Sequence, residues 1–255
     1  MKVISMPFRF MLTFALIASA LFASDAGLAA TAPTPVSQQA ADAVAAKLKA
    51  VRPDLAIDKA EPAAIPGMVA IELQGGSVLY ASADGRYLIA GDLYELGDQL
   101  VNVNEAKRDA KRRELIANVA LTDMAIFPAQ GERRATIAVF TDVDCGYCRK
   151  LHQEVPKLNQ MGVEVRYLAY PRGGVGSPGY DKLVTVWCSA DRRDAITRMK
   201  RGEEVPNKTC KNPVAAEYQL GRAVGLEGTP AIVLEDGRML PGYMSADELS
   251  QVLGI

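Results

Sequence analysis

The second half of this sequence predicts an α/β domain built around one sheet, with a smaller mixed α+β unit ahead of it. Three observations predict it. Strand-like apolar runs, "TIAVF", "VEVRYLAY" and "AIVL", alternate with amphipathic helical stretches, which is the order of a layered α/β fold. The chain closes on "SADELSQVLGI", a helix whose Ser245 and Glu248 form a capping box. The first strand runs directly into a helix through "FTDVDCGYCRKLH", so two thiols, Cys145 and Cys148, stand at a strand-to-helix junction.

Taken in order, the chain opens with Lys2 and Arg9, an apolar run from Phe10 to Phe22, and small residues. That is the pattern of a secretory signal, with cleavage after Ala23, Ala29, Ala30 or Ala32. The run is shorter than the roughly 20 residues a membrane span needs. Export permits disulfides to persist. The formal charge is -1, from 29 basic and 30 acidic residues, and falls to about -2 without the signal, a balance that argues against general nucleic-acid binding.

Residues 37–51 predict a helix with Ser37 at its N-cap and Val44, Leu48 and Val51 on one face. A broken, Pro-rich passage follows. Then "MVAIEL", "SVLYAS" and "RYLIAGDLYEL" read as strands separated by the turn dipeptides Gly75-Gly76 and Asp84-Gly85. A unit this small, with open strand edges, needs a partner surface. A second copy or the rest of the same chain would both serve. The stretch "NEAKRDAKRRELIANVALTDMAIF", free of Gly and Pro, reads as one connecting helix with Leu115, Val119 and Met124 on its apolar stripe. Its basic run "KRDAKRR" reads as a solvated face rather than a binding patch.

In the second half, helices are expected from Cys145 to about Asn159, in "YDKLVTVWCSA", in "DRRDAITRMKRG" and in "AAEYQLGRAVGL", and a hairpin in "AIVLEDGRMLPGY". Three chemistries compete for Cys145 and Cys148. Haem attachment needs a histidine directly after the second cysteine, and position 149 is arginine. A closed zinc site needs four ligands, usually as two close pairs, and only one close pair exists beside the single histidine, His152. A redox dithiol fits. The first turn of a helix offers unpaired N–H groups and partial positive charge, which favours the thiolate of Cys145. Cys148 lies one turn deeper on the same face as the resolving thiol, leaving Cys145 the more exposed. No metal, nucleotide or flavin cofactor is required for such chemistry. A short structural disulfide is the alternative.

Cys188, on an apolar helix, and Cys210, in the loop "EEVPNKTCKNP", are 22 residues apart. A structural disulfide between them would contribute about 3 kcal/mol by closing that loop. Two free thiols are the alternative. Pro230 opens the strand of "EGTPAIVL", and the residues alone favour an ordinary trans bond there. A cis Thr229-Pro230 bond would instead free the Thr229 N–H and C=O to pair with an extended peptide.

Together "FTDVDCGYCRKLH", "VRYLAYPR", "VWC" with a later lone cysteine, "GTPAIVL" and "LPGY" resemble the bacterial periplasmic disulfide isomerases of the DsbC/DsbG type, as do "PGM" and "DGRYLIAG" in the first half. The resemblance implies a signal peptide at 1–30, an N-terminal dimerisation domain at 31–97, a linker helix at 98–127 and a thioredoxin-like catalytic domain with a helical insertion at 128–255. It implies a homodimer whose uncharged cleft holds misfolded exported proteins, a cis Thr229-Pro230 bond beside the active pair, Cys188–Cys210 as the structural disulfide, and reduction by a membrane thiol reductase of the DsbD type. The implied activity is periplasmic isomerisation and reduction of incorrect disulfides through Cys145 and Cys148. A DsbA-like dithiol oxidase, a dimeric chaperone and a DsbG-like reductase of oxidised cysteines are the alternatives. Asp144 departs from the pattern, since a carboxylate there opposes thiolate formation at Cys145, and Arg149 acts the other way. His152 reads as a solvated helix residue, or as a modest influence on the thiols.

Overall fold

The computed structural model describes residues 35–255, so the expected signal segment lies outside the described residues. Among the described residues, no helix is long and apolar enough to cross a membrane.

The first unit is a helix laid on an antiparallel sheet. Helix α1 (Gln38–Val51) starts at Ser37, whose Oγ accepts the Ala40 N–H at 3.2 Å. Its Ala41 and Val44 pack on Val69, Ile71 and Ala81 of the sheet. The sheet runs in sequence order through β1 (Ile57–Pro62), β2 (Met68–Leu73), β3 (Val78–Ser82) and β4 (Leu88–Ala90). Strands β5 (Tyr94–Leu96) and β6 (Leu100–Asn102) form a separate hairpin. Strand β1 lies in the passage read as broken. Its proline, Pro62, is the last residue of an edge strand, where a missing N–H is tolerated. The run 86–96, read as one strand, is interrupted at Gly91 and divided between β4 and β5.

Helix α2 (Val103–Ala117) is shorter at both ends than the expected 98–127. Its start is fixed by Asn102, whose Oδ1 accepts the Glu105 N–H at 3.0 Å, and the preceding residues are held in the β5–β6 hairpin. Beyond it, Leu121–Asp123 form a short 3₁₀ turn and β7 (Ala125–Phe127) joins a sheet edge instead of continuing the helix. The apolar stripe does what its spacing predicts: Leu115, Val119 and Met124 pack with Phe140, Leu168 and Val224. The basic run is not simply solvated. Lys107 pairs with Glu61, Arg108 with Glu105 and Asp92, and Lys111 with Asp58 and Glu72. Arg112 is buried, donating from Nε to the Val224 carbonyl at 3.1 Å and from Nη1 to Glu105 and Asp109.

The second unit is the α/β domain. Strand β8 (Ala135–Thr141) is buried along its whole length, and β9 (Val163–Ala169) runs parallel to it. A parallel pair requires a crossover, supplied by α3 (Gly146–Gln160). Helices α4 (Pro178–Trp187), α5 (Arg192–Lys200) and α6 (Val214–Ala223) follow before the hairpin β10 (Ala231–Leu234) and β11 (Met239–Pro241), and α7 (Ala246–Leu253) ends the chain. The sheet order is β11-β10-β8-β9-β7, with every neighbour pair except β8–β9 antiparallel. Parallel β8–α3–β9, an antiparallel hairpin and a closing helix make a thioredoxin-like fold, with α4–α6 as the helical insertion.

Strand alternation distributes the core to both faces. Ile137, Val139, Val165 and Tyr167 meet Leu151, Val155 and Leu158 of α3 and Leu249 of α7. Ala138, Phe140, Leu168 and Val233 meet the stripe that follows from α2. Two ties hold the insertion. Trp187 donates its indole N–H to the Asp123 carbonyl at 2.6 Å. Cys188 and Cys210 form a disulfide closing a 22-residue separation, a restriction of the unfolded chain worth about 3 kcal/mol in the loop-entropy account.

Candidate active site

Helix α3 begins at Cys145, which occupies the N-cap. At five of the other six α-helix starts among the described residues an oxygen closes the first turn: Ser37, Asn102, Ser177, Asp191 and Ser245 each accept a backbone N–H, while α6 starts at Pro213 without a side-chain cap. No side-chain oxygen does so at α3. The backbone N–H of Cys148 favours the anionic form of the Cys145 sulfur. A sulfur in the cap position is best matched to those donors when it is an anion.

The two thiols are unbonded to each other and both are buried, 3% exposed at Cys145 and 1% at Cys148. The expected contrast in exposure is therefore small, although Tyr147 between them is 65% exposed. Burial pushes both thiols up. At Cys145 it is outweighed by the Thr229 hydroxyl, the N–H and thiol of Cys148 and the charge of Arg172, so this thiol lies below its ordinary value. At Cys148 burial prevails, against the charge of Lys200, and the thiol is raised. The pair is thus divided into an acidic thiol at the helix end and a resting thiol one turn inside.

The peptide bond Thr229-Pro230 is cis, and it lies against the pair. The Cys145 thiol donates to the Thr229 carbonyl at 3.2 Å. That carbonyl is therefore engaged within the chain, whereas the sequence reading left it open. The contact favours the protonated thiol. The Thr229 hydroxyl acts in the opposite sense: it is buried, has no hydrogen-bond partner of good geometry among the described residues, and favours the thiolate of either cysteine. An open groove runs past Gly228, Thr229, Pro230 and Gly242 toward Arg108.

The structure brings Cys145, Cys148, Thr229 and Pro230 together, while Cys188 and Cys210 stand in their own bond. It also shows groups that the sequence reading did not single out. Asp142, 3% exposed, accepts the Asp144 N–H at 2.8 Å and the Arg172 N–H at 2.9 Å, which fixes the turn before Cys145 and holds Arg172 near it. Asp144 is tied to Lys182 at 2.7 Å and Arg149 at 3.7 Å, so its charge is answered locally and does not dominate Cys145 as its position in the sequence suggested. Lys200 reaches from α5 to the Cys148 carbonyl at 3.4 Å. No signal in a single sequence marks that lysine, since it stands in an ordinary charged helix. Among the described residues no group of three or more His, Cys, Asp or Glu side chains converges to hold a metal ion.

His152 is not solvated. It is 8% exposed and lies on the buried stripe of α3 with Cys148, Leu151 and Val155. Its ring nitrogens bond the Tyr167 hydroxyl at 3.0 Å and Thr197 Oγ1 at 2.9 Å, and Phe127 meets the ring edge-on. Burial first, then the charges of Lys200 and Arg201, lower its pKa to about 3.

Residues 35–105 match the disulfide bond isomerase protein N-terminal domain, and residues 122–254 match a thioredoxin-like domain. The chain is 40% identical over 190 residues to the thiol:disulfide interchange protein DsbC of Dickeya dadantii (strain 3937), covering 74% of this chain and 77% of that protein. The chain belongs to the DsbC family. The DsbC of Escherichia coli (strain K12) is 36% identical over 194 residues, covering 76% of this chain and 79% of that one. Among solved structures, a disulfide interchange protein from Neisseria gonorrhoeae is 31% identical, with a TM-score of 0.48, covering 53% of this chain and 96% of that chain.

The buried histidine gives this DsbC-family chain a specific acid sensitivity. A folded-state pKa of about 3 lies below the ordinary 6.5, so between those values the unfolded chain binds one more proton and stability falls as pH falls. Replacing His152 with Gln removes that proton. Over pH 6 to 4, denaturant unfolding of the wild type should lose about 1.4 kcal/mol per pH unit more than His152→Gln. Equal slopes would show that His152 is not held neutral.

Proposed function

We propose that this chain is an exported, homodimeric protein disulfide isomerase that also reduces substrates, with Cys145 as nucleophile and Cys148 as resolving thiol. The observation that carries this reading is the division of the pair: a thiol of lowered pKa at the N-cap of α3, backed by a thiol of raised pKa and adjoining the Thr229-Pro230 edge.

The Cys145 thiolate attacks one sulfur of an incorrect disulfide. A Cys145–substrate disulfide forms and the other substrate sulfur leaves as a thiolate. That thiolate attacks a second substrate disulfide, and the thiolate freed there, or a later one, attacks the substrate sulfur of the mixed disulfide. Cys145 is expelled unchanged, and no net electrons move. When rearrangement stalls, the Cys148 thiolate attacks Cys145 Sγ, the substrate leaves reduced by two electrons, and a Cys145–Cys148 disulfide remains. A membrane thiol reductase of the DsbD type then supplies two electrons to restore the dithiol. An extended segment of substrate in the groove beside Pro230 positions its disulfide for the first attack. A DsbA-like oxidase would start from the oxidised pair. An isomerase starts from the reduced pair, so alkylation trapping of Cys145 and Cys148 in the exported chain separates the two readings.

The dimer reading rests on segment 87–101. Leu88 and Ile89 are 48% and 56% exposed along β4, the open edge of its sheet, Tyr87 just before it is 65% exposed, and Leu96 and Leu100 are 86% and 65% exposed in the β5–β6 hairpin. An apolar open edge of this kind invites strand pairing with a second copy.

Two expected outcomes follow. Cys145→Ser should abolish reactivation of scrambled ribonuclease, a loss of at least about a hundredfold given that thiolate attack starts every cycle; retained activity would remove the assignment. The double substitution Leu96→Asp with Leu100→Asp should convert a dimer to a monomer in sedimentation equilibrium. A wild-type chain that sediments as a monomer would contradict the dimer.

A further inference from the structure

Lys200 is the last residue of α5 and only 5% exposed. Its Nζ donates to Thr141 Oγ1 at 2.7 Å and to the Cys148 carbonyl at 3.4 Å, and it lies 5.4 Å from the centre of the Tyr167 ring. Among the described residues no carboxylate forms an ion pair with it. Burying an ammonium without a counter-ion is strongly unfavourable, so such a group is retained where an anion meets it at some stage.

The surroundings identify that anion. From α3 and its N-cap the groups acting on Lys200 are Cys148, Cys145 and Arg149, with neutral His152 nearby; from the turn before α3, Asp142; and from β9, the Tyr167 ring, while Arg201 follows Lys200 in the chain and acts on His152. Arg149 and Arg201 are cations and His152 is neutral. Asp142 has its oxygens engaged by the Asp144 and Arg172 N–H groups. Asp142 keeps its charge but makes no ion pair with Lys200, whereas Nζ stands 3.4 Å from the Cys148 carbonyl, so the anion placed to meet it is the Cys148 thiolate.

We propose that Lys200 is a positioning residue whose buried ammonium stabilises the Cys148 thiolate during resolution of the mixed disulfide. The inference rests on the reading of Cys145 and Cys148 as nucleophile and resolving thiol. In that step the Cys148 S–H proton passes to solvent, the thiolate attacks Cys145 Sγ, the Cys145–substrate bond breaks, and the substrate thiolate leaves. Two electrons pass from the enzyme dithiol to the substrate. Lys200 keeps its proton throughout. Burial lowers its pKa to about 8, which leaves it charged at neutral pH.

A second consequence concerns redox balance. Once Cys145 and Cys148 are joined, neither sulfur carries charge and the ammonium loses its counter-ion. Lys200 therefore disfavours the disulfide relative to the dithiol. It keeps the pair reduced, the state from which isomerisation starts, while easing escape by Cys148.

The test uses the full exported chain with Lys200→Met, and Lys200→Gln as a second neutral variant should the first fold poorly. Thermal melts of both variants establish that they are folded, so loss of fold does not mimic the effect. In a Cys145→Ala background, the pH profile of Cys148 alkylation by iodoacetamide should move upward by about one unit, a tenfold fall in rate at pH 7. With both cysteines present, equilibration against glutathione should shift several-fold toward the Cys145–Cys148 disulfide. A purely structural lysine would move neither quantity, and profiles and equilibria unchanged within twofold overturn the proposal. The rate at which Cys145 reacts with a small aromatic disulfide distinguishes the two levels of the account. If Cys145 reacts normally while Cys148 ignores Lys200, only the lysine assignment fails. If Cys145 in the wild type is inert, the dithiol reading fails and takes the lysine proposal with it.

Discussion

The site depends on one placement: a cysteine stands where a helix ordinarily carries an oxygen cap. Cys145 is the N-cap of α3, the Cys148 N–H favours its thiolate, and the Thr229 carbonyl lies against its sulfur at 3.2 Å. The first turn of a helix leaves N–H groups that require an acceptor. A thiolate is a better acceptor than a thiol, so the helix end itself favours ionisation. Each remaining feature either holds that helix end in place or divides the two sulfurs.

Holding is done from three directions. Strand β8 is buried on both faces, and its register with β9 fixes where α3 starts. Asp142 locks the turn between strand and helix by accepting two backbone N–H groups. The β10 strand, paired with β8 from Ala231↔Phe140 onward, carries the Thr229-Pro230 bond to the end of the same sheet. Division of the sulfurs comes from depth. Cys148 shares the buried stripe of α3 with Leu151, His152 and Val155, and pays for that burial in a raised pKa, whereas Cys145 receives the helix end, the Thr229 hydroxyl and the charge of Arg172.

Much of this was legible in the sequence, for identifiable reasons. The α/β order, the capping box at Ser245 and the α3 stripe follow from local periodicity and capping chemistry, which act over a few residues. Strand β7 was read as helix because "AIF" follows a long charged helix without a break. Its pairing with β9 is a tertiary effect that "AIF" alone does not encode. Strand β1 was hidden by its proline for the converse reason: an edge position tolerates what a central strand would not. His152 was read as solvated because its burial depends on Tyr167 and Thr197, which lie 15 and 45 residues away. Lys200 is not legible in the sequence because a lysine in "DRRDAITRMKRG" resembles its charged neighbours until α5 packs against α3. Asp144 drew attention by adjacency in sequence, yet Lys182 and Arg149 answer its charge.

The central claim is that Cys145 is ionised by the geometry of its helix end. The most direct measurement is the absorbance of the thiolate near 240 nm as a function of pH, in the Cys148→Ala variant and in the wild-type dithiol. The account predicts that Cys145 titrates below the ordinary value of about 8.5 for a cysteine thiol. A Cys145 that stays protonated until pH 8.5 or above would contradict it.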